Sequence, residues 1–199
     1  MKSHSHACER NREPIAAVLR QYFTAPGTVL EIGAGTGQHA AYFAAAMPHL
    51  QWWPTDREEN LAGIDAWVGE ASLPNLHPPR RLDVRDVSWP LPAACHVFSA
   101  NTAHIMSWSE VECLFGGVAR VLKAGGMFCL YGPFNRDGHF TSESNRDFDA
   151  SLRARDPLMG LRDDTAVIAL GVRNGLEFVA DHPMPANNRL LAFRRSPRM

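Results

Sequence analysis

Apolar residues along this chain fall into two alternating patterns. Short runs rich in branched side chains predict buried strands at Thr28–Ile32, Leu50–Thr55, Arg80–Leu82, Ala94–Ala100 and Met127–Tyr131, then Leu176–Ala180 and Arg189–Phe193. Between them, apolar positions recur at helical spacing. These stretches are Arg10–Phe23 (through Ile15, Val18, Leu19 and Tyr22), His39–Met47, the segment through Leu61, Ile64, Trp67 and Val68, Ser109–Leu122, and Thr165–Asn174. Pro48 and Gly175 stop two of these helices. Ser109 with Glu112 reads as a capping box, and Lys123-Ala124-Gly125-Gly126 as a helix end. Strand alternating with helix predicts an α/β sheet wound on both faces, mostly parallel. The last two runs, joined by the turn Met184-Pro185-Ala186-Asn187-Asn188, predict an antiparallel ending.

The stretch that carries chemistry is Glu31-Ile32-Gly33-Ala34-Gly35-Thr36-Gly37-Gln38. Glycines at alternate positions supply backbone with φ > 0 and allow a ligand close approach. The helix behind them begins near Thr36 and turns unpaired N–H groups toward the turn. A dinucleotide fingerprint places its third small residue where Gln38 stands. The pattern E-x-G-x-G-x-G instead resembles motif I of class I methyltransferases. The strand-end carboxylate of Glu31 suits a cation and disfavours a pyrophosphate. Cofactor contacts are therefore expected from Glu31, Gly33, Ala34, Gly35, Thr36, Gly37 and Gln38 toward S-adenosylmethionine.

Later strand tips extend the site. Asp56, at the tip of the second strand and about 20 residues past the glycines, stands where an acid accepts from ribose hydroxyls, and it also reads as a helix N-cap. Asp83-Val84 follows the third strand and suits an adenine, with an ion pair to Arg81 or Arg85 as the other reading. Asn101 and His104 follow the fourth strand, beside the point where the strand order reverses. Asn101 is grouped with the cofactor. His104 is the candidate base, against a histidine merely hydrogen-bonded in its loop. Tyr131 is the second candidate catalytic group.

About 30 residues separate Tyr131 from the last helix, far beyond an ordinary βα loop. Residues 132–164 are expected to cover the acceptor site, with a helix at Ser144–Arg155 and with Phe134, Phe140 and Asn145 facing the acceptor. Asn187 and Asn188 reach the same rim or serve plain turn chemistry. The polar start Glu9-Arg10-Asn11-Arg12 folds over the cofactor as a lid spanning residues 1–25, or is a solvated helix start. Asn11 is counted among the acceptor contacts.

A length of 199 residues fits one domain, and a net charge of −1 leaves no footprint for nucleic acid or an anionic membrane. No apolar run reaches the roughly 18 residues of a bilayer span. Four cysteines without C-x-x-C spacing, Cys95 and Cys129 within predicted strands, read as reduced residues of a cytoplasmic protein. His4-x-His6-x-Cys8 reads as a frayed end, and no metal is expected.

Taken together, Glu9-Arg10-Asn11, the Glu31–His39 segment, Pro54-Thr55-Asp56, Leu82-Asp83-Val84, Asn101-x-x-His104-Ile105-x-x-Trp108, Tyr131-Gly132-Pro133-Phe134, Thr141-Ser142-x-Ser144-Asn145, Arg162-Asp163 and Met184-Pro185-Ala186-Asn187-Asn188 resemble the methyltransferase-like-26 family. The resemblance implies a Rossmann-like class I methyltransferase fold with a seven-stranded sheet, and S-adenosylmethionine as cofactor. It names no acceptor; the rim residues suggest a small molecule. Met159 departs from the family, where a tryptophan is expected after Asp156-Pro157. Two rival functions are a non-catalytic module that binds the cofactor or its product, and an NAD(P)-dependent oxidoreductase.

Overall fold

The computed structural model describes residues 3–197. A helix, α1 (His6–Tyr22), precedes the first strand, β1 (Gly27–Ile32). There follow α2 (Gln38–Ala46), β2 (Leu50–Asp56), α3 (Glu58–Ala71), the two-residue β3 (Arg80–Arg81), β4 (Ala94–Ala100), α4 (Trp108–Val121) and β5 (Leu122–Gly132). The remainder comprises β6 (Phe134–Asn135), α5 (Glu143–Arg155), β7 (Arg162–Asp163), α6 (Asp164–Arg173), β8 (Leu176–Met184) and β9 (Asn188–Arg195). The main sheet has seven strands in the order β3-β2-β1-β4-β5-β9-β8. Strands β3 to β5 pair in parallel and β9 runs antiparallel to both its neighbours.

The central strands are apolar on both faces because both are covered. Leu30, Ile32, Val97, Phe128, Leu130, Leu191 and Phe193 face α4 and α6. Val29, Phe98, Met127, Cys129, Leu190 and Ala192 face α1 and α2. The order reverses between β1 and β4, so a crevice opens at their carboxyl ends. That is where ligands bind doubly wound sheets.

Several boundaries differ from the sequence reading. Helix α1 begins one turn early, at His6, because the Ser5 hydroxyl accepts from the Cys8 N–H and caps it. The capping box of α4 is Ser107 with Glu110, not Ser109 with Glu112. Two boxes offset by two residues look alike in sequence, and Ser107 is the one with extended backbone. Lys123–Gly126 belongs to β5, since Leu122 already pairs with Ala94. Strands β8 and β9 are longer than their apolar runs because they pair from Leu176–Arg195 to Met184–Asn188. Within 132–164, β6 and β7 form a small separate sheet.

The turn between β8 and β9 places Ala186 and Asn187 both at φ 57°. Asparagine tolerates the left-handed region; alanine does not gain from it. Ala186→Gly is therefore expected to stabilise the chain by about 1 kcal/mol, read as a shifted urea midpoint.

Candidate functional site

The turn after β1 is built from its glycines. Gly33, Gly35 and Gly37 sit at φ 71°, 59° and 89°. The Gly33 and Ala34 N–H groups both donate to the Thr55 carbonyl, at 2.9 and 3.0 Å, and lash the turn to β2. A methyl on Gly33 would lie 2.4 Å from Thr102 Cγ2, and one on Gly37 would lie 3.0 Å from Ile64 Cα. Those two glycines serve packing. Gly35 differs, since nothing lies within 4 Å of where its Cβ would stand. It faces a cavity of about 440 Å³ at the switch point.

One wall of that cavity is Gly33–Thr36, Asp56 and Asn60. The Asp56 carboxylate accepts from the Gly35 N–H at 2.7 Å, and from the Arg57 N–H and Asn60 Nδ2 at 2.7 and 2.8 Å. The N-cap of α3 is Arg57, so Asp56 stands one residue ahead of the cap rather than in it, and it lines the cavity. Leu82, Val84, Ile105 and Met106 form an apolar end, with Asp83 beside them. Asp83 takes the ion-pair reading. Arg85 Nε and Nη2 donate to it at 2.9 and 2.6 Å, holding the carboxyl well below the usual carboxylate range. At the other end stand Asn101, His39, Ser5 and Cys8. Asn101 is held at φ 59°, and its N–H donates to the Tyr131 carbonyl at 2.8 Å.

Three expected cofactor contacts lie behind this wall. Gly37 caps α2. Gln38 is buried and binds the chain ahead of α1: the Ser5 N–H donates to its Oε1 at 2.5 Å. Glu31 is 2% exposed and accepts from Trp52 Nε1 at 2.6 Å. Burial pushes its carboxyl up to about 8, with the nearby Asp56 charge acting the same way. A neutral acid at neutral pH differs from the fixed anion the sequence suggested. The side chain points into the α1/α2 face because the pleat sends it opposite to Leu30 and Ile32.

The acceptor candidates are more scattered. His104 is 6% exposed and packs edge-on against Phe148, ring centroids 5.1 Å apart. Burial, with Arg162 nearby, pulls its imidazole down to about 4. It lies beside Gly132 and Asn101 rather than on the cavity wall. Tyr131 is buried on the α1 face. Asn11 is buried too; its Oδ1 meets His39 Nε2 at 2.7 Å, and its amide faces the Tyr131 phenol. Asn11 thus joins α1, α2 and β5 instead of lining open space. His39 is pulled down to about 4 by burial, so it is the neutral ring that donates here.

Phe134 is 1% exposed and belongs to the core under α4 and α6. An aromatic after the fifth strand gives no sign in sequence of which way it turns. Asn145 is buried, and its Nδ2 donates to Thr141 Oγ1 and to the Asn187 carbonyl. Asn187 and Asn188 shape the hairpin turn, Asn188 Nδ2 donating to the Pro185 carbonyl at 3.0 Å. Phe140 is 37% exposed beneath the Arg146 guanidinium.

Sequence reasoning missed Ser5, Cys8, Asn60, Met106, Glu110 and Asp156 on the cavity wall. Only Met159, singled out there as a departure, was flagged near this side, and it does line the cavity. Arg162 explains how the far wall is held. Its guanidinium donates to the Ala103 carbonyl at 3.1 Å, to the Leu158 carbonyl at 2.8 Å and to the Met106 carbonyl.

Residues 2–195 match the family described as "Protein of unknown function (DUF938)". Among solved structures, the chain is similar to an O-methyltransferase family protein from Burkholderia thailandensis, with TM-score 0.83 and 18% identity over 94% of this chain and 57% of that one. The S-adenosylmethionine-dependent methyltransferase SibL gives TM-score 0.80 and 19% identity over 96% and 56%. An O-methyltransferase family 2 protein from Planctomyces limnophilus DSM 3776, solved with apigenin, gives 0.81 and 15% over 93% and 56%. The likeness is one of fold, Rossmann-like with a mostly parallel sheet. The chain spans a little over half the length of these neighbours.

Proposed function

The chain belongs to the family described as "Protein of unknown function (DUF938)", and from that premise we propose that it is an S-adenosylmethionine-dependent methyltransferase acting on a small-molecule acceptor. The observation that carries the reading is Gly35. Of the three turn glycines it alone looks onto open space, so the backbone there is bare toward a ligand. The residues around it fit the cofactor. Asp56 offers acceptors for ribose hydroxyls, and Val84, Ile105 and Met106 offer an apolar slot for a purine. Polar groups at Asn101 and Ser5 suit the amino-acid end, and cavities of a few hundred Å³ hold ligands of that size.

When bound, the cofactor supplies an already activated methyl group. The chain's own contribution is placement and exclusion of water. Asn101 and Thr102 set the floor beside the β4 tip, and Arg162 fixes the loop above it. An imidazole with pKa about 4 is neutral at pH 7 and a weak base, and His104 stands off the cavity wall, so we place it behind the acceptor side rather than in proton removal. Tyr131, oriented through Asn11, is the other polar group we assign to the acceptor side. The residues named in the sequence reading also support kinship with the methyltransferase-like-26 family. No described helix is long and apolar enough to cross a membrane, and we place the protein in the cytoplasm.

Calorimetry with S-adenosylhomocysteine tests the reading. Micromolar binding is expected, with Asp56→Ala about tenfold weaker or more through loss of the ribose acceptor. Binding of NADH with none of S-adenosylhomocysteine overturns it in favour of an oxidoreductase. Binding without turnover on any metabolite in a screen leaves a non-catalytic cofactor-binding module.

A further inference from the structure

The segment ahead of α1 is not frayed. Ser5 caps the helix, Gln38 Nε2 and Oε1 grip the Ser5 carbonyl and N–H, and Trp67 Nε1 donates to the Ser3 carbonyl at 2.9 Å. These ties hold the extended Ser5 and the residues ahead of it against the body of the chain, and His4 reaches Glu9 in the first helical turn. His4 Nε2 lies 3.1 Å from Glu9 Oε1, and His6 Nδ1 lies 3.9 Å from Glu9 Oε2. The two imidazoles meet edge to face at 5.1 Å, and the outer face of His4 lies toward the Trp67 ring, 6.4 Å away. One donor atom from each of His4, His6 and Glu9 falls within 4.8 Å of the others, the only such group among the described residues.

We propose that His4, His6 and Glu9 form a binding site for a zinc-class divalent transition metal. The donors are two imidazoles and one carboxylate, a set that suits zinc, nickel or copper over magnesium or calcium. Helical spacing alone would bring only His6 and Glu9 together; the third donor arrives through the cap. Small rotamer adjustments bring the three atoms to bonding distance of about 2.0–2.2 Å from one ion. All three side chains are exposed, so further positions open to water. Cys8 stands apart from the set: it lines the cofactor cavity, against Ser5 and Thr36.

The site has a consequence for the cavity, which rests on the function proposed above. The metal joins residues on both sides of Ser5, and Ser5 with Cys8 forms one wall of the cofactor cavity. An ion there holds that wall in place. By reciprocity, metal and cofactor then tighten each other's binding.

The test titrates zinc chloride alone into the full chain by calorimetry, with cobalt(II) as a spectroscopic substitute. One ion per chain is expected, at a dissociation constant of about 10 µM or tighter. His4→Ala, His6→Ala and Glu9→Gln should each weaken it about tenfold or more, with thermal midpoints near wild type because the side chains are exposed. Cys8→Ser should leave it unchanged. No one-to-one binding in this range overturns the proposal, as does binding that survives the His4→Ala/His6→Ala pair. Metal binding is read without cofactor, so failure of the methyltransferase reading leaves this result standing. The coupling is read separately, as slower S-adenosylhomocysteine release with zinc in wild type and not in His4→Ala.

Discussion

Gly35→Val is expected to abolish S-adenosylhomocysteine binding, by about a hundredfold or more, while the chain still folds. The two effects separate because of what surrounds this glycine. A side chain at Gly33 or Gly37 would collide with Thr102 or Ile64, and loss of binding there would be confounded by loss of packing. At Gly35 nothing lies within 4 Å of where a Cβ would stand, so the side chain starts into open space on the cavity wall. The fold meets just the strain of a branched residue at φ 59°, about 1–2 kcal/mol. For a domain of this size that lowers the thermal midpoint by a few degrees, about 3–6 °C. Calorimetry and a melt on the same preparation check both halves. A Gly35→Val chain that binds the product as wild type does would show that the turn is not the cradle.

Glu31→Gln is expected to do the reverse: stabilise the fold and weaken the site. The folded carboxyl titrates near 8, against an ordinary value of 4.5. As pH rises past 4.5, the unfolded chain ionises Glu31 while the folded chain keeps it neutral. Folding therefore loses stability from about pH 4.5 to 8 and levels off above. At pH 7 the accumulated loss is on the order of 3 kcal/mol. Glutamine keeps an acceptor for Trp52 Nε1 without the ionisation, so it should recover about 2–3 kcal/mol at pH 7. The gain should vanish near pH 4. His39, His96 and His104, each held near 4, make the fold acid-sensitive below pH 6.5, with the opposite sign. They are common to both chains, so the difference between them isolates Glu31. Denaturant melts across pH 4 to 9 measure it, and a difference that does not change with pH would rule out a neutral Glu31.

A buried acid that costs the fold this much calls for a use. Burial is what chiefly raises the Cys8 thiol, with a charge on Glu31 acting the same way, so the carboxyl lies near Cys8, which lines the cavity. A cation arriving beside Cys8 would favour the ionised form. Glu31→Gln should thus weaken S-adenosylmethionine binding, and wild type should release a proton on binding it below pH 8. Calorimetry in buffers of differing ionisation enthalpy reads that proton.

The sheet was legible because its strands are buried on both faces and read as apolar runs. The turn was legible because alternate glycines have few other uses. What sequence could not show was direction. Glu31 and Phe134 sit at the predicted positions in the chain, yet one faces Trp52 and the other the core, and a period-two pattern does not say which face a ligand occupies. Asn11 and Asn145 look like free polar groups in sequence; both are consumed in joining elements 28 and 42 residues apart. The N-terminal residues were misjudged because their order comes from Gln38 and Trp67, distant partners that no local pattern announces. The Met159 departure was visible only through the family resemblance.

Arg162 spans the gap between the loop after β4 and the stretch after α5, gripping carbonyls on each. Three short ties through one rigid plane make the two walls a single bracket. Met106 and Met159 line the cavity from the two sides of that bracket, so the separation of the segments that carry them is set by the guanidinium rather than by whatever the cavity holds.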